Sequence, residues 1–316
     1  MTRWRTDRAP SRATPRRVIL HAGMHKTGTT SVQFALSRTP GCVYPATEPP
    51  GPGHAKLVWR ALGLRGEHRD PDVLWRTVET HEAELPGRPL VISAEACIFA
   101  IESEDRAEAF RRLASHSPTE IVLTVRPDDE RLSSFRQEQA KQGIRLDEEA
   151  PFDQTLTSTP LRGGGMVKLV EAAPWEAVHL VRTRRTDPGA IFRAFSVILG
   201  VPVPEVAEFN RRLDPGVTML LELLNRHLEV SSGSGVSERV ELAKRLWADL
   251  ITKFPALADV AEPVPLPELR DALRARWLEE CRAIAMRTTP KVILHPEDFR
   301  EELGISPRSS AGSDGR

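Results

Sequence analysis

The sequence predicts a three-layer α/β fold, in which helices flank a parallel sheet and a helical C-terminal portion follows. Three observations support this. Short runs of β-branched and aliphatic residues alternate with helical segments over residues 16–200. A turn rich in small residues joins the first run to the first helix, and residues 201–305 are mostly helical in pattern. Such alternation is typical of a parallel sheet covered on both faces, with ligands at the carboxyl ends of its strands.

The elements follow in chain order. Buried strands are predicted at 18–20, 89–93, 120–125 and 177–181. Helices are predicted from Thr29 onward and at 54–62, 72–85, 103–115, 128–142, 167–172, 187–199, 217–230, 236–253 and 267–287. Residues 40–53 and 143–165 read as loops because they are rich in Pro, Gly and polar residues. Strands are expected to stop from Val217, and the apolar run Lys291–Leu294 is left open between a strand and a packed tail.

The domain organisation expected from these elements is one domain over residues 16–305. Residues 16–200 would form the α/β core, and residues 201–305 a mostly helical remainder. The ends, 1–15 and 306–316, are rich in Ser, Arg and Gly, with Pro, and are expected to be disordered tails.

Charge and cysteine content limit the classes of function. Lys and Arg number 44 and Asp and Glu also number 44, so no overall basic field points to nucleic acid. Three Cys lie far apart without metal-ligand spacing, which indicates a reduced, cytoplasmic protein without a structural zinc. No apolar run approaches the ~20 residues of a membrane span, and the first 15 residues lack the apolar segment of a signal peptide.

The segment between the first strand and the first helix indicates an anion site. Amide groups and the dipole of a helix N-terminus both favour an anion held in the preceding loop. Gly23, Gly28 and Thr30 almost fit the phosphate-binding pattern G-x-x-x-x-G-K-[ST]. The pattern's Lys is replaced by Thr29, and Lys26 lies inside the loop instead. The loop can therefore cradle a phosphate while its cation approaches from a different side.

Lys26-Thr27-Gly28-Thr29-Thr30-Ser31, followed by Gln33 and preceded by His21-x-Gly23, resembles the 5′-phosphosulfate loop of sulfotransferases. These P-loop-related enzymes use 3′-phosphoadenosine-5′-phosphosulfate (PAPS), and the version here looks most like their bacterial, carbohydrate-sulfotransferase-like branch. The resemblance implies that Lys26 contacts the phosphosulfate near its bridging oxygen. It also implies that Thr27 to Ser31, and above all Gly28, Thr29 and Thr30, hold the 5′-phosphate.

A second motif follows the third predicted strand. Arg126 at the strand end and Ser134 eight residues later can converge, because the helix that carries Ser134 begins near Arg126. A guanidinium, a hydroxyl and helix amides together make a phosphate clamp. The spacing resembles the 3′-phosphate motif of the same family, although Pro127 stands one residue earlier than in the common pattern. Arg162, beside three glycines, is a further candidate contact to that phosphate by position alone.

Two residues are candidate bases, one a carboxylate and the other an imidazole. Glu95 follows a buried strand end, where desolvation would raise its pKa and suit it to take a proton from an attacking hydroxyl. Ser93-Ala94-Glu95 also resembles the segment that supplies the base in several carbohydrate and tyrosine sulfotransferases. His54, at a helix start, is the reserve base. His21 is expected to be a packing residue, and His25 could line the site.

The sequence is thus interpreted as a sulfotransferase that uses PAPS as donor and no metal, with a hydroxyl or amine acceptor on a small molecule or glycan. Carbohydrate or glycolipid is the favoured acceptor by analogy alone. Two alternatives stay open at this point. One is an ATP-dependent P-loop kinase, against which Thr29 and the lack of a convincing Mg²⁺ carboxylate speak. The other is a nucleotide-binding protein without catalytic activity.

Overall fold

A computed structural model describes residues 17–47, 51–82, 87–144, 164–184, 186–206, 213–227, 236–259, 267–296 and 298–305. The tails expected to be disordered, at 1–15 and 306–316, lie outside these ranges. Most of the predicted 143–165 loop, including Arg162, also lies outside them.

Five strands form one parallel sheet in the order β2-β1-β3-β4-β5. Leu20 of the central strand aligns with Ile92 on one side and with Ile121 on the other. Every residue of the first four strands is buried, which explains their nearly continuous apolar sequences. The strands are β1 (Val18–Gly23), β2 (Leu90–Ser93), β3 (Thr119–Val125), β4 (Ala177–Arg182) and β5 (Lys291–His295).

The fifth strand corrects one expectation. Strands do not stop at Val217, because Lys291–His295 pairs in parallel with β4 at the sheet edge. Lys291 is exposed and the next four residues are only partly buried. The apolar run of β5 is as short as that of β1 but follows a long series of helices, so the sequence left it open between a strand and a packed tail.

The helices agree with the predicted ones to within a few residues at their ends. Two short 3₁₀ helices, Glu95–Glu102 and Pro255–Asp259, and a last short helix were not predicted. In chain order the α-helices are α1 (Thr29–Leu36), α2 (Ala55–Leu62), α3 (Val73–Glu82), α4 (Glu104–His116), α5 (Asp128–Lys141), α6 (Gly165–Glu171), α7 (Ala190–Leu199), α8 (Pro215–His227), α9 (Val236–Lys253), α10 (Pro267–Ala285) and α11 (Phe299–Glu302).

Alternate residues of the sheet face two different helical layers. On one face, Ile19 and Val122 belong to a core that includes Phe195 of α7 and residues of α1. On the other face, Leu20 belongs to a larger core with Phe110 of α4, Trp277 of α10 and parts of α2, α3 and α6. This is the three-layer architecture that the sequence predicts.

The C-terminal helices form a smaller cluster at one side of the sheet. Val217 and Leu221 of α8 and Ala243 and Trp247 of α9 are buried together with Ala140 of α5. Within the described ranges, no helix combines the length and apolar character that crossing a membrane requires.

The strand order creates a crevice at a defined place. From β1 the chain moves to β2 on one side of the sheet and then to β3 on the other side. In an open parallel sheet, ligands bind outside the carboxyl ends of the strands where the strand order reverses. Here that point lies between β1 and β3, and the segments that follow these strands contain the two predicted phosphate motifs.

Candidate active site

The loop after β1 turns sharply because of two glycines. Gly28 precedes α1 at a φ of 86°, in the left-handed region that only glycine adopts without cost. A Cβ on Gly23 would lie 2.3 Å from Thr29 Oγ1, so only glycine lets the loop return so close to the strand. Lys26 is also left-handed, with a φ of 68°. Strain of that kind is typical of ligand-binding loops.

A chain of hydrogen bonds fixes the loop to the sheet beneath it. His21 is fully buried, and its Nδ1 lies 2.8 Å from Ser93 Oγ of β2 while its Nε2 lies 3.3 Å from Thr124 Oγ1 of β3. Thr124 Oγ1 lies 2.9 Å from Thr27 Oγ1, which donates to the Met24 carbonyl. Burial lowers the pKa of His21 to about 3, so the ring is neutral. His21 is therefore the packing residue that the sequence predicts.

The predicted residues meet around one cleft of about 600 Å³ at the carboxyl end of the sheet. Its walls come from the loop after β1 with the start of α1, the segments after β2 and β3, the second half of α5, and the segment after β4 with the start of α7. The described residues that line it are Lys26, Thr27, Gly28, Thr29, Thr30, Ser31, Glu95, Arg126, Ser134, Gln137, Glu138, Lys141, Thr183, Arg184, Asp187, Pro188, Gly189, Ile191, Phe192, Glu205 and Val206.

Arg126 and Ser134, the two residues of the second motif, both line the cleft. The Arg126 side chain is largely buried, donates through Nη1 to the Lys26 carbonyl at 3.3 Å, and pairs through Nε with Glu130 at 2.8 Å. Ser134 lies about two turns into α5, the helix that begins two residues after Arg126. Its hydroxyl has no hydrogen-bond partner within the described ranges. Arg126 thus connects the second motif to the backbone of the first.

Lys26 is engaged by a carboxylate that the sequence did not single out. Its Nζ lies 2.9 Å from Glu138 Oε2, and about a quarter of the lysine side chain is exposed. The pKa of Glu138 is lowered, because Lys26 and Gln142 outweigh the opposite effect of burial. An anion that binds Lys26 must therefore compete with Glu138.

The charges that line the cleft balance. Four basic side chains, from Lys26, Arg126, Lys141 and Arg184, face four acidic ones, from Glu95, Glu138, Asp187 and Glu205. Arg184 is itself paired with Asp298 and Glu302. The site is thus not a simple basic pocket, and a bound anion must exchange partners with these carboxylates.

The structure corrects the expectation for the pKa of Glu95. Burial does push this pKa upward, but contacts with His25, Lys26 and Thr29 outweigh it, and the pKa is lowered from its ordinary value. Glu95 Oε2 lies 2.7 Å from His25 Nδ1, and about a third of the glutamate side chain is exposed. A carboxylate with such partners stays ionised at neutral pH and is a weak base.

His54 does not line the cleft. Its ring is buried, with Nε2 2.9 Å from the Pro45 carbonyl and Nδ1 accepting from the Ser93 backbone N–H at 3.0 Å. Both nitrogens are therefore occupied by backbone groups, and burial lowers the pKa of the ring. His54 therefore holds the Pro45 loop to the end of β2, and a ring with both nitrogens occupied is poorly placed to accept a proton from a substrate. Arg162 lies outside the described residues.

The sequence analysis did not name some of the residues that line the cleft, and only some of these carried a sequence pattern that could have identified them. Gln137, Glu138 and Lys141 follow Ser134 by three, four and seven residues, so they share its face of α5 and could have been inferred. The segment from Thr183 to Phe192 had only its place after a strand end. Glu205 and Val206 carried no pattern at all.

Comparison with known proteins adds no relative. No family model matches the chain, and no curated protein matches it. In the described part of the chain, no group of three or more His, Cys, Asp or Glu side chains is arranged to hold a metal ion.

Proposed function

We propose that this protein is a sulfotransferase that moves the sulfuryl group of PAPS onto a hydroxyl or amine, without a metal ion. The observation that carries the proposal is the convergence of the Lys26 to Ser31 loop with Arg126 and Ser134 around one cleft. These stretches are about 100 residues apart, and each was matched to a different phosphate of PAPS from sequence alone. The cleft lies at the strand-order reversal, where such a fold holds nucleotides.

The two ends of the donor would bind to different elements. The loop amides and the Thr29 and Thr30 hydroxyls suit the 5′-phosphosulfate, because they surround the N-terminus of α1. Arg126 and Ser134 suit the 3′-phosphate through a charged and a neutral hydrogen bond.

The acceptor attacks the sulfur in line with the departing phosphate. Lys26 would neutralise charge on the oxygen that bridges sulfur and phosphorus, and this contact strengthens as that bond breaks. Carbohydrate or glycolipid is the acceptor class we favour, on the family resemblance. The described cysteines, Cys42, Cys97 and Cys281, are all buried free thiols, which suits a reducing compartment such as the cytoplasm.

A transfer assay with ³⁵S-labelled PAPS tests the proposal. Purified protein is incubated with a panel of sugars, amino sugars and glycolipids, and labelled product and released sulfate are both counted. Lys26→Ala should lose at least ~10²-fold in turnover, while its affinity for the product 3′-phosphoadenosine-5′-phosphate (PAP) changes less.

Lys168→Ala is the matched control, because Lys168 is an exposed lysine of α6 that does not line the cleft. It should behave as wild type. Turnover of Lys26→Ala within a few-fold of wild type would remove Lys26 from the mechanism. Transfer of a phosphoryl group from ATP, with no transfer of the sulfuryl group from PAPS, would reject the proposed function.

A further inference from the structure

His25 is bound by the carboxylate of Glu95, and the proposed function above gives neither this contact nor His25 a role. It directly precedes Lys26 in the loop, and its Nδ1 lies 2.7 Å from Glu95 Oε2. Because a carboxylate accepts, the neutral ring must carry its proton on Nδ1. Nε2 then has a lone pair, and within the described ranges it has no hydrogen-bond partner.

The imidazole ring is also fixed by packing. Phe99 of the 3₁₀ helix and Phe135 of α5 contact it edge-on, at centroid distances of 6.4 and 5.6 Å. The His25 carbonyl accepts from Arg131 Nε at 3.1 Å, which holds the backbone of the loop. About a quarter of the side chain remains exposed. The ring thus has a set orientation and is partly exposed, and its hydrogen-bond partner Glu95 lines the cleft.

We propose that His25 is the general base of the transfer and that Glu95 is its positioning residue. This rests on the proposed function. An imidazole whose Nδ1–H is bound by a carboxylate presents Nε2 in the tautomer that accepts a proton, and the carboxylate stabilises the imidazolium that forms. Histidine is also the side chain best suited to proton transfer near neutral pH. Glu95 alone is less suited, since its lowered pKa makes it a weak base.

The step balances as follows. Nε2 of His25 takes the proton of the acceptor O–H or N–H, and the acceptor atom forms a bond to sulfur. The bond between sulfur and the bridging oxygen breaks, and its electron pair stays on the 5′-phosphate of PAP. The imidazolium then gives its proton to solvent. No oxidant, reductant or metal is consumed.

Hydrolysis of PAPS tests the dyad without knowledge of the acceptor, because a positioned base also activates water. His25→Gln keeps an N–H that can donate to Glu95 but cannot accept a proton. It should bind PAP as wild type does and lose ~10²–10⁴-fold in hydrolysis. In His25→Ala, added imidazole should restore part of the lost rate. His81→Ala, at a histidine of α3 outside the cleft, should behave as wild type and should not respond to imidazole.

Two variants of Glu95 separate positioning from direct catalysis. In Glu95→Gln the amide N–H can donate to Nδ1 and place the ring proton on Nε2, which is the wrong tautomer. Glu95→Gln should therefore lose more activity than Glu95→Ala, in which the ring can still adopt either tautomer. If Glu95 were the base, the two variants would lose similar amounts and His25→Gln would stay active.

Other results of these measurements would overturn either the His25–Glu95 dyad or the proposed function. Wild-type activity in His25→Gln, no rescue of His25→Ala, or a wild-type protein that binds PAP but hydrolyses PAPS no faster than buffer would overturn the dyad. Failure of wild type to bind PAP would instead overturn the proposed function. The two failures are distinguishable, because PAP binding is measured separately in every variant.

Discussion

Lys26 and Glu138 are the pair of charges expected to set the affinity of the cleft for the proposed anionic ligand. Their 2.9 Å ion pair is partly exposed, and pairs of that kind contribute ~0.2–1 kcal/mol. A larger effect comes from repulsion, because Glu138 lines the space in which an anion must lie. Glu138 therefore competes with the ligand for Lys26 and also repels it.

Glu138→Gln should consequently bind PAP more tightly, by about two- to tenfold, since ~1.4 kcal/mol corresponds to tenfold. Titration calorimetry at low and high salt measures this, and the gain should shrink as salt screens the charges. Glu104→Gln, at an exposed glutamate of α4 outside the cleft, is the control and should leave affinity unchanged. Weaker PAP binding in Glu138→Gln would mean that Glu138 positions Lys26 for the ligand.

Arg126 is the residue expected to select the nucleotide. Arg126→Ala removes a charged hydrogen bond to the 3′-phosphate, worth ~1.5–3 kcal/mol. PAP binding should weaken by roughly ten- to a hundredfold, while binding of 5′-AMP, which lacks that phosphate, should hardly change. Equal weakening of both ligands would show instead that Arg126 acts through its bond to the Lys26 carbonyl, by holding the loop.

At the scale of elements, the strand, loop and helix of residues 18–36 could be read from sequence because their signals are local. A buried apolar run, two glycines and an amphipathic segment each specify their own conformation. The partners of Lys26 and His25 could not be read in this way. Glu138 and Glu95 reach the loop from α5 and from the 3₁₀ helix, and those contacts depend on how the elements pack.

The loop can be tested as a unit through Gly23. A Cβ at this position would lie 2.3 Å from Thr29 Oγ1 and 2.8 Å from its Cγ2, so Gly23→Ala must displace Thr29. We expect PAP affinity to fall at least tenfold, a loss of ~1.4 kcal/mol, because Thr29 lies at the N-terminus of α1. Gly87→Ala is the control for PAP affinity, since Gly87 does not line the cleft and a Cβ there would meet nothing within 4 Å, although its φ of 81° strains the substitution. Unchanged PAP affinity in a folded Gly23→Ala variant would separate the loop from phosphate binding.

At the scale of the whole molecule, the sequence predicted the three-layer architecture but not the strand order. The order depends on which buried strands pair, and β5 reaches the sheet more than 100 residues after its neighbour β4. The same limit explains why His54, at a helix start, was considered as a reserve base. Only the folded chain shows that β2 and the Pro45 segment enclose it. Longer-range contacts of this kind leave no periodic signal.

The buried imidazoles make global stability sensitive to acid. The pKa is lowered to about 3 for His21 and to about 4 for His295, in both cases chiefly by burial. Between their ordinary value of 6.5 and these values, the unfolded chain binds protons that the folded chain does not. The free energy of unfolding should therefore fall as pH falls through this window, by up to ~1.4 kcal/mol per pH unit for each group.

His21→Gln should be less stable than wild type at neutral pH, because it disturbs the bonds to Ser93 and Thr124. Its stability should also depend less steeply on pH, since one of the groups that take up protons is gone. Urea unfolding at several pH values between about 6 and 4 measures both effects. Parallel curves for the two proteins would show that His21 does not contribute to the acid sensitivity.

The central claim is that this cleft accepts a 3′-phosphorylated adenine nucleotide, and a thermal-shift panel tests it most directly. A ligand that binds only the folded state stabilises it by RT ln(1 + [L]/Kd), or ~2.7 kcal/mol at a hundredfold excess over Kd. The panel compares PAP, adenosine-5′-phosphosulfate, 5′-ADP and ATP with Mg²⁺. PAP should raise the melting temperature most, and this shift should largely disappear in Arg126→Ala. A larger shift with ATP and Mg²⁺, together with none for PAP, would contradict the central claim.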